Sequence, residues 1–396
     1  MATTVNNRSL SGNDISLYLS PQTTKGEINA TPAFDQFRRT EGVAKKAVTY
    51  VTSSEVKANR QARAQIRDAV TYAAELSFEV NQSTAQYLDA MIHGDQVDNS
   101  VSSVATIGAD ALGFVSSNAD FANLEVGDWF VITGFADSTI DGAYKISVKD
   151  DDNNIETYTA PAATEVEGAT VSFESMKTSS GSAPTYYTVQ NRTVDKSAVG
   201  DVSYRTFYDA IINTGSFEIG ETGVITGNFA LNIESLVAGS ALISGQTDNA
   251  VDTSDYASAI DNISTTFVDG VNSNCGVKSM SLEFNNNYQG DRSAGCSGER
   301  YVAGDIDATG NLVTRAMIDN TFEWRDKYDE SSPIPVSIAP YFIWSDGRWM
   351  IIDIARAIIT DHTMPNGSNV VSSNEMTYTA TEEPVTGITV NIFRNF

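Results

Sequence analysis

The sequence has few of the side chains that most enzymes use for nucleophilic or metal chemistry. Its 396 residues include two histidines, His93 and His362, and two cysteines, Cys275 and Cys296. No HExxH, Walker loop or GxSxG motif occurs. The cysteines lack CxxC spacing, which predicts that their thiols are free and that the protein is made in a reducing cytoplasm. No catalytic residue, metal site or cofactor is predicted, and we expect the protein not to be an enzyme.

Basic residues are also scarce. Lys and Arg number 25 against 51 Asp and Glu, so the formal net charge is −26. Such a surface repels free nucleic acid, whose binding requires basic side chains that displace counterions from phosphates. No apolar run approaches the roughly 18 residues needed to span a bilayer, and residues 1–13 lack the segments of a secretory signal. We therefore expect no membrane partner.

Helical periodicity is rare, and the alternation typical of strands dominates. Apolar and polar residues alternate over residues 74–80 and again over 279–285, which is the pattern of half-buried strands. Residues 336–359 predict a long hairpin, with Ser345-Asp346-Gly347-Arg348 as a tight type I′ turn. The apolar run Trp349 to Ile354 predicts a strand covered on both faces. These patterns together predict a mainly β fold.

Two segments carry helical signals. The first begins at Ser83-Thr84-Ala85-Gln86, which fits a capping box, and Gly94 stands where that helix would end. The second is predicted from about Asn311 to Glu330, and Pro333 follows its end. All four tryptophans are predicted to fill the core: Trp129, Trp324, Trp344 and Trp349.

The two halves of the chain repeat one order of elements. Strands near 48–51 and 70–80 precede the first helix, and strands at 278–285 and 300–308 precede the second. An insertion interrupts the first unit. The prediction is two tandem β-sandwich domains, each with one flanking α-helix, plus a small inserted β-domain. The predicted boundaries are 1–96 and 179–235 for the first domain, 97–178 for the insert, 236–274 for a linker and 275–396 for the second domain.

Two stretches of the sequence carry a family pattern. One is Thr31-Pro32-Ala33-Phe34-Asp35-Gln36-Phe37-Arg38-Arg39-Thr40, followed by Thr52-Ser53-Ser54-Glu55-Val56 and the strand–helix unit at 70–94. The other is the insert, with Val126-Gly127-Asp128 and Gly134-Phe135. The first resembles the major tail tube protein of long-tailed, siphovirus-type double-stranded DNA bacteriophages. The second is similar to a decoration module of some of these proteins, and the resemblance covers most of the chain.

The resemblance implies a structural virion protein that stacks as rings to form the phage tail tube. In this family six β-sandwich domains close a ring around a central channel, and the inner strands form a continuous barrel. Because this chain has two such domains, trimeric rings are preferred and hexameric rings are the alternative. The implied partners are further copies of the chain, the tape-measure protein, and tail terminator and tip proteins. Assembly is expected in the host cytoplasm.

An acidic lumen suits a conduit for DNA ejection, because like charges about 4 Å apart repel by roughly 1 kcal/mol in water. DNA would then pass without specific binding. The candidates lie on the polar faces of the predicted strands: Glu75, Glu79, Glu283, Asp305 and Asp307. For each of them, contact with solvent or with a neighbouring subunit is an equally good interpretation.

One basic cluster stands out in the acidic chain: Lys57, Arg60, Arg63 and Arg67, with no acid between them. We predict that these side chains contact the acidic face of an adjacent ring. Contact with DNA and a solvated loop are the alternatives.

Two other functions stay open at this point. One is a surface-binding, adhesin-type β module of a virion or cell surface, in which the insert would be the binding part. The other is a β-fold glycosidase, which requires a carboxylate pair in an aromatic-lined cleft. The segment 305–310 opens like a calcium loop but has Ala316 where a bidentate Glu belongs. The run 150–154 predicts a polar hairpin turn, and weak binding of a cation is the alternative.

Overall fold

The computed structural model describes residues 14–52, 65–104, 106–166, 170–194, 202–239, 241–273, 276–292, 299–316, 324, 327–328, 334–363, 373–384 and 386–396. Its strands form an 18-stranded sheet system, a seven-stranded sheet and a two-stranded ribbon. Nearly all of the pairings are antiparallel. The mainly β class predicted from the alternation is confirmed.

The elements occur along the chain in four groups. Before the insertion they are β1 (Ile15–Pro21), β2 (Ala33–Gln36), β3 (Lys45–Thr52), β4 (Gln65–Glu79), α1 (Gln82–Met91) and β5 (Gln96–Asp98). Within the insertion they are β6 (Val101–Val104), β7 (Ile107–Ala109), β8 (Gly113–Ser116), β9 (Trp129–Thr133), β10 (Gly142–Lys149), β11 (Asn154–Thr157) and β12 (Val171–Glu174). After it come β13 (Met176–Ser179), β14 (Tyr187–Val194), β15 (Val202–Ile219) and β16 (Thr226–Leu236). The remaining strands are β17 (Thr247–Asp248), β18 (Ile263–Val268), β19 (Val271–Asn272), β20 (Val277–Asn285), β21 (Gln289–Asp291), β22 (Arg300–Val302), β23 (Asp307–Arg315), β24 (Val336–Ile343), β25 (Trp349–Thr363), β26 (Ser373–Ala380) and β27 (Val390–Arg394).

The alternating segments are strands with one buried face, as predicted. On β4 the side chains of Leu76 and Phe78 are buried, and on β20 those of Leu282 and Phe284 are buried. The residues between them point to the opposite, more exposed face. The run from Trp349 to Ile354 is buried on both faces, again as predicted. All four tryptophans are at most 6% exposed, so the prediction that they fill the core is confirmed.

The N-cap of helix α1 lies two residues before the predicted one, Ser83. The N-cap is Asn81, whose side-chain Oδ1 accepts a hydrogen bond from the Thr84 backbone N at 3.2 Å. Thr84 Oγ1 in turn accepts one from the Asn81 backbone N at 3.1 Å, which completes a capping box. Asn serves this role as well as Ser does, because its short side chain reaches the free N–H groups of the first turn. The buried side of α1, including Leu88 and Met91, packs into the main core.

The two halves of the chain have the same strand order. In the first repeat the antiparallel order is β3–β4–β16–β15–β14–β1. In the second repeat it is β20–β23–β26–β25–β24–β18. The pairing between β15 and β20 joins the two repeats edge to edge. The order of elements that the sequence suggested therefore corresponds to one repeated topology.

The repeats also agree in register. Ala210 on β15 pairs with Tyr187, and Ala357 on β25 pairs with Val336. A register shift follows in both strands, after Ile212 in β15 and after Ile359 in β25. Because a β-bulge re-aims every side chain beyond it, two strands with the bulge at the same place present equivalent faces.

The start of the second predicted helix is wrong. Asn311 to Arg315 belong to β23, which pairs with β20 on one side and β26 on the other. Leu312 is fully buried between these neighbours. Farther along, the structure describes Trp324, Lys327 and Tyr328, and all three are helical. The predicted strand 300–308 is likewise divided into β22 and the beginning of β23.

The segment predicted as a linker, 236–274, contains β17, β18 and β19. β17 pairs with β2 in parallel, and β18 pairs with β24 and so extends the second repeat. The domain boundaries given above remain a proposal.

The insertion forms its own seven-stranded sheet, in the order β6–β12–β9–β10–β11–β8–β7. It has a separate core in which Phe114, Phe130 and Phe173 are fully buried. The strands that flank it, β5 and β13, pair with each other within the large sheet. The run 150–153 is the polar turn between β10 and β11, as predicted, and Asp151 Oδ1 accepts from the backbone N of Asn153 at 2.7 Å.

The small sheet is packed firmly on the second repeat. We call the shared apolar contact the docking cluster; its residues are Trp129, Val131, Phe267, Ala339, Tyr341, Trp349, Ile351 and Phe393. Beside it, Lys145 Nζ lies 3.0 Å from Asp353 Oδ1 and 2.8 Å from Ser337 Oγ. On β24 and β25, residues that alternate with the docking cluster, such as Ile338 and Ile352, face the main core instead. These strands therefore separate the main core from the small sheet.

The predicted hairpin at 336–359 is present, but its turn is not type I′. A type I′ turn requires positive φ at both central residues, and of Asp346 and Gly347 only the glycine has it, with φ 85°. The backbone N of Gly347 donates to Trp344 O at 3.0 Å, and the N of Trp344 donates to Arg348 O at 2.8 Å. The connection is thus a longer loop that ends in a left-handed glycine.

Candidate functional site

Eight strands form one continuous sheet across both repeats, in the order β3–β4–β16–β15–β20–β23–β26–β25. One face of this inner sheet is apolar and is covered by the main core. The other face is polar, because side chains alternate along every strand. We call this second face the polar face, and it is the candidate functional surface.

Acids and hydroxyls from distant parts of the chain form rows across the polar face. One row of cross-strand neighbours consists of Glu79, Thr226, Glu218, Ser281, Asn311, Thr377 and Asp361. The next consists of Ser77, Asn228, Ser216, Glu283, Thr309 and Thr379. A third consists of Glu75, Ala230, Thr214, Asn285 and Asp307. These rows contain no Lys or Arg, so the middle of the polar face carries negative charge alone.

The neutral side chains of the polar face hydrogen-bond with one another. Asn228 Nδ2 donates to Ser77 Oγ at 3.2 Å, and Asn311 Nδ2 donates to Ser281 Oγ at 3.3 Å. Thr377 Oγ1 donates to Asn311 Oδ1 at 3.2 Å. Donors that are satisfied within the sheet are not available to a passing anion. The face therefore combines negative charge with several donors that are already used within the sheet.

Four of the five predicted lumen acids lie on the polar face. Glu75, Glu283 and Asp307 are exposed there, and Glu79 is half-buried. Asp305 does not join them, because it lies in the loop before β23 and not on a strand. Its backbone O accepts from Asn287 Nδ2 at 2.9 Å. The predicted placement of Asp305 on a strand is wrong, because β23 begins later than the alternation suggested; its place in a lumen stays a prediction.

Three acids of this surface were not among the predicted residues: Glu218 on β15, Asp361 on β25 and Glu375 on β26. All three are exposed. Glu218 stands between the buried residues Phe217 and Ile219, so the same alternation test would have found it. Asp361 was not identifiable in this way, because the register shift after Ile359 changes the face that the following residues present.

Of the predicted basic cluster, the structure describes only Arg67. It is exposed on β4 and pairs with Tyr50 of β3. The other three members, Lys57, Arg60 and Arg63, lie outside the described residues. Near Arg67, the ends of β3 and β4 carry exposed apolar side chains: Tyr50 (57%), Val51 (50%) and Ile66 (57%). We call this part of the β3–β4 hairpin the arm.

Each of the two histidines contacts a neutral polar side chain. His93 is 4% exposed, and its Nε2 lies 3.3 Å from Tyr288 Oη. Burial lowers the pKa of His93, so the ring stays neutral at neutral pH. His362 Nε2 lies 3.3 Å from Asn374 Oδ1. In the described part of the chain, no three His, Cys, Asp or Glu side chains are grouped so that they could hold a metal ion.

A family model described as phage tail tube protein matches residues 12–340. The match covers β1 to β23, the first part of β24 and the whole small sheet, and it ends before β25. The chain belongs to the phage tail tube protein family. Membership makes it a structural component of the virion tail, which assembles with itself into a tube and associates with other tail proteins. The predicted structural role is therefore confirmed at the level of the family.

No curated protein matches the chain. Among the residues that the structure describes, no helix is long and apolar enough to cross a bilayer.

Proposed function

We propose that this chain forms the tail tube of a long-tailed, siphovirus-type bacteriophage, as trimeric rings whose lumen is the polar face. The observation that carries the proposal is the repeat. Two units of identical strand order are joined edge to edge in a single sheet, and one face of that sheet is acidic across both units. Such a sheet can continue from one molecule to the next.

The repeat supports a ring of three copies. Each chain contributes two equivalent units, so three chains supply six units around the channel. Closure of a sheet into a ring removes its exposed edges, which otherwise invite uncontrolled pairing. A ring of six chains is the alternative, and the mass of isolated rings distinguishes the two.

The position of the small sheet supports a lumen on the polar face. In the second repeat, only the end of β25 belongs to the inner sheet, where it pairs with β26. The main core lies between the inner sheet and a layer formed by β24 and the first half of β25, and the small sheet contacts the far side of that layer. The polar face and the insert are thus on opposite sides of the sandwich. With the polar face toward the channel, the insert (97–178 in the proposed division) lies on the exterior of the tube.

The charge of the polar face suits a conduit for DNA. Carboxylates repel phosphates, and salt weakens this repulsion over about 10 Å at 0.1 M ionic strength. Glu79 and Glu218 lie in one row and Glu283 lies in the next, so the rings would repeat these charges around the channel. DNA would slide during ejection because the described rows in the middle of this face contain no Lys or Arg that could hold it.

The other parts of the proposal concern assembly. The tube is expected to assemble in the host cytoplasm around a tape-measure protein, and terminator and tip proteins would bind its ends. Contacts between rings would be made by the predicted basic cluster, with Arg67 on the exposed arm as its described member.

Charge reversal in the lumen tests the conduit. Virions that carry Glu79→Lys, Glu218→Lys and Glu283→Lys should have tails of normal length but eject DNA more slowly, with a larger defect at low salt. The matched control reverses three exposed acids of the small sheet (Asp150→Lys, Asp151→Lys and Asp152→Lys) and should eject DNA at the wild-type rate. Equal ejection rates for all three virions, or tubes that never form from the purified wild-type chain, would contradict the proposal.

A further inference from the structure

The junction between the two repeats shows how one chain can join the next. On one side, β15 pairs with β14 along its first half and with β20 along its second half. Its counterpart β25 pairs with β24 along its first half. Beyond Ala357, this edge of β25 has no partner among the described strands. The second repeat thus lacks the neighbour that the first repeat has in β20.

The counterpart of β20 is β3, and it has a free edge. Asn285 of β20 pairs with Asp307, and Ala47 of β3 pairs with Thr71. Asn311 and Glu75 are equivalent residues of the two repeats, because they pair with equivalent positions of β26 and β16. Asp307 and Thr71 each lie four positions before these residues, so their partners Asn285 and Ala47 are equivalent too. Among the described strands, β3 pairs with β4 alone, and most of its side chains are exposed.

We propose that the end of β25 in one chain pairs with β3 of a second copy, as β15 pairs with β20 within each chain. The internal junction pairs Thr214 with Asn285 and Ser216 with Glu283. The equivalent residues of the other repeat are taken to pair in the same register between two chains. This register pairs Asp361 with Ala47, His362 with Lys46 and Thr363 with Lys45 of the second copy. This proposal rests on the ring assembly proposed above and assigns its interface.

The arm gives an independent reason for this interface. The ribbon β21–β22 is the counterpart of the end of the arm, because Gln289 pairs with Val302 as Val51 pairs with Ile66. Within the chain, that ribbon lies on the first repeat: the backbone N of Tyr301 donates to Glu234 Oε1 at 3.0 Å. No contact of this kind supports the arm among the residues that the structure describes, and the side chains of Val51 and Ile66 are exposed.

One tyrosine occurs at the same position in both repeats. Tyr288, just before β21, is half-buried, and its ring lies 5.6 Å from that of His93 in the first repeat. Tyr50, the counterpart on β3, is 57% exposed. In the proposed interface, the second repeat of a neighbouring copy takes the position that the first repeat has within the chain. It would then cover Tyr50 as the first repeat covers Tyr288.

Charge also fits this pairing. Lys45 and Lys46 are basic residues on an edge strand of a chain with net charge −26. The proposed register places Lys45 opposite Thr363 and diagonal to Asp361 on the same face. Opposite charges in such cross-strand positions favour pairing.

Cysteine cross-linking in assembled tubes tests the register. In a Cys275→Ser/Cys296→Ser background, Thr363→Cys with Lys45→Cys should form a disulfide between chains. Ser216→Cys with Glu283→Cys, at the internal junction, should form one within the chain. Thr363→Cys with Thr49→Cys should form none, because four residues of strand span about 13 Å and a disulfide needs Cα atoms within about 7 Å. Complete reaction of the first pair should end at a covalent trimer.

The outcomes separate this interface from the proposed function. Tubes that contain the Thr363/Lys45 cysteines but stay monomeric on a denaturing gel would overturn the interface and leave the tail tube proposal intact. A wild-type chain that forms no rings would overturn both.

The two tyrosines provide a second measurement. Tyr50→Ser should leave the unfolding temperature of the unassembled chain unchanged and raise the concentration needed for tube assembly by at least about tenfold, as expected for a buried interface tyrosine. Tyr288→Ser, the matched control, should lower the unfolding temperature. Assembly of the Tyr50→Ser chain at the wild-type concentration would contradict the interface.

Discussion

At the scale of single residues, the pair Lys145 and Asp353 holds the small sheet against the second repeat. Their side chains are 6% and 1% exposed, and Nζ lies 3.0 Å from Oδ1. Removal of one partner leaves an uncompensated buried charge. Asp353→Ala is therefore expected to lower the free energy of unfolding by about 3–5 kcal/mol, as measured by urea denaturation.

Two controls separate burial from ion pairing as such. Lys145→Met with Asp353→Leu removes both charges and should recover most of the loss, since apolar residues often replace a buried pair without cost. Lys278 and Glu221 form an exposed pair with Nζ–Oε1 2.7 Å, and Glu221→Gln should cost less than about 1 kcal/mol. An Asp353→Ala loss no larger than the Glu221→Gln loss would refute the role of the buried pair.

A second residue-scale prediction concerns Asp89 on α1, which contacts Arg394 on β27. Burial raises the pKa of Asp89 to about 6, against the opposing effect of the neighbouring Arg394 charge. The folded chain then holds this proton more tightly than the unfolded chain does. The stability due to this group is highest at low pH and declines as the pH rises from about 4 to 6.

Asp89→Asn removes this titration. Between pH 4 and pH 7, the free energy of unfolding of the wild-type chain should fall relative to that of Asp89→Asn by up to about 3 kcal/mol. Parallel denaturation curves of the two proteins across this range measure the difference. A difference that stays constant with pH, or one that grows in favour of the wild type as pH rises, would show that burial does not control this carboxyl.

At the scale of elements, the start of α1 depends on Asn81 and not on Ser83. Asn81 is fully buried and makes both bonds of the capping box with Thr84. Ser83 Oγ only donates to Asn81 Oδ1, at 2.6 Å. Asn81→Ala should therefore cost about 1–2 kcal/mol of stability, and Ser83→Ala clearly less. Thermal unfolding of the two variants compares them, and a larger loss for Ser83→Ala would restore the predicted cap.

Strands with a regular alternation of apolar and polar residues could be predicted from the sequence. β4 and β20 each have one apolar face, and that pattern depends only on neighbouring residues. The segment at Asn311 was misread because Val313, Met317 and Trp324 also fit a helical stripe. Short apolar runs are ambiguous between the two periods, and here the choice is made by β20 and β26, which pair on both sides of β23.

The polar face was only partly predictable for a related reason. The faces of β4 and β20 indicated Glu75, Glu79 and Glu283. The rows themselves depend on the register between strands that are far apart in the sequence, and a shift of one residue would turn each acid to the other face. Asp361 joins its row only because of the register shift in β25.

At the scale of the whole molecule, the insertion site explains how one fold accepts a second sheet. Asp98 of β5 pairs with Met176 of β13, so the chain leaves and re-enters the large sheet at adjacent positions. The backbone N of Asn99 donates to Ser175 O at 2.9 Å. An insertion between such neighbours need not disturb the strands on either side. Its docking, by contrast, depends on contacts between residues far apart in the sequence, such as the rings of Trp129 and Phe267, whose centroids lie 4.5 Å apart. No local pattern reveals such contacts.

Removal of the small sheet tests this division. A chain in which Ser100 is joined to Ser175 through two glycines should retain the repeats and form tubes with an unchanged channel but a smaller outer diameter, as seen by electron microscopy. The deletion exposes the docking cluster, so it should carry Tyr341→Thr and Ile351→Thr to limit aggregation. Tubes whose channel widens or closes would show that the insert lies toward the lumen. A deleted chain that folds but forms no tubes would show that the small sheet takes part in assembly, because the proposed junction between β25 and β3 lies wholly within the repeats.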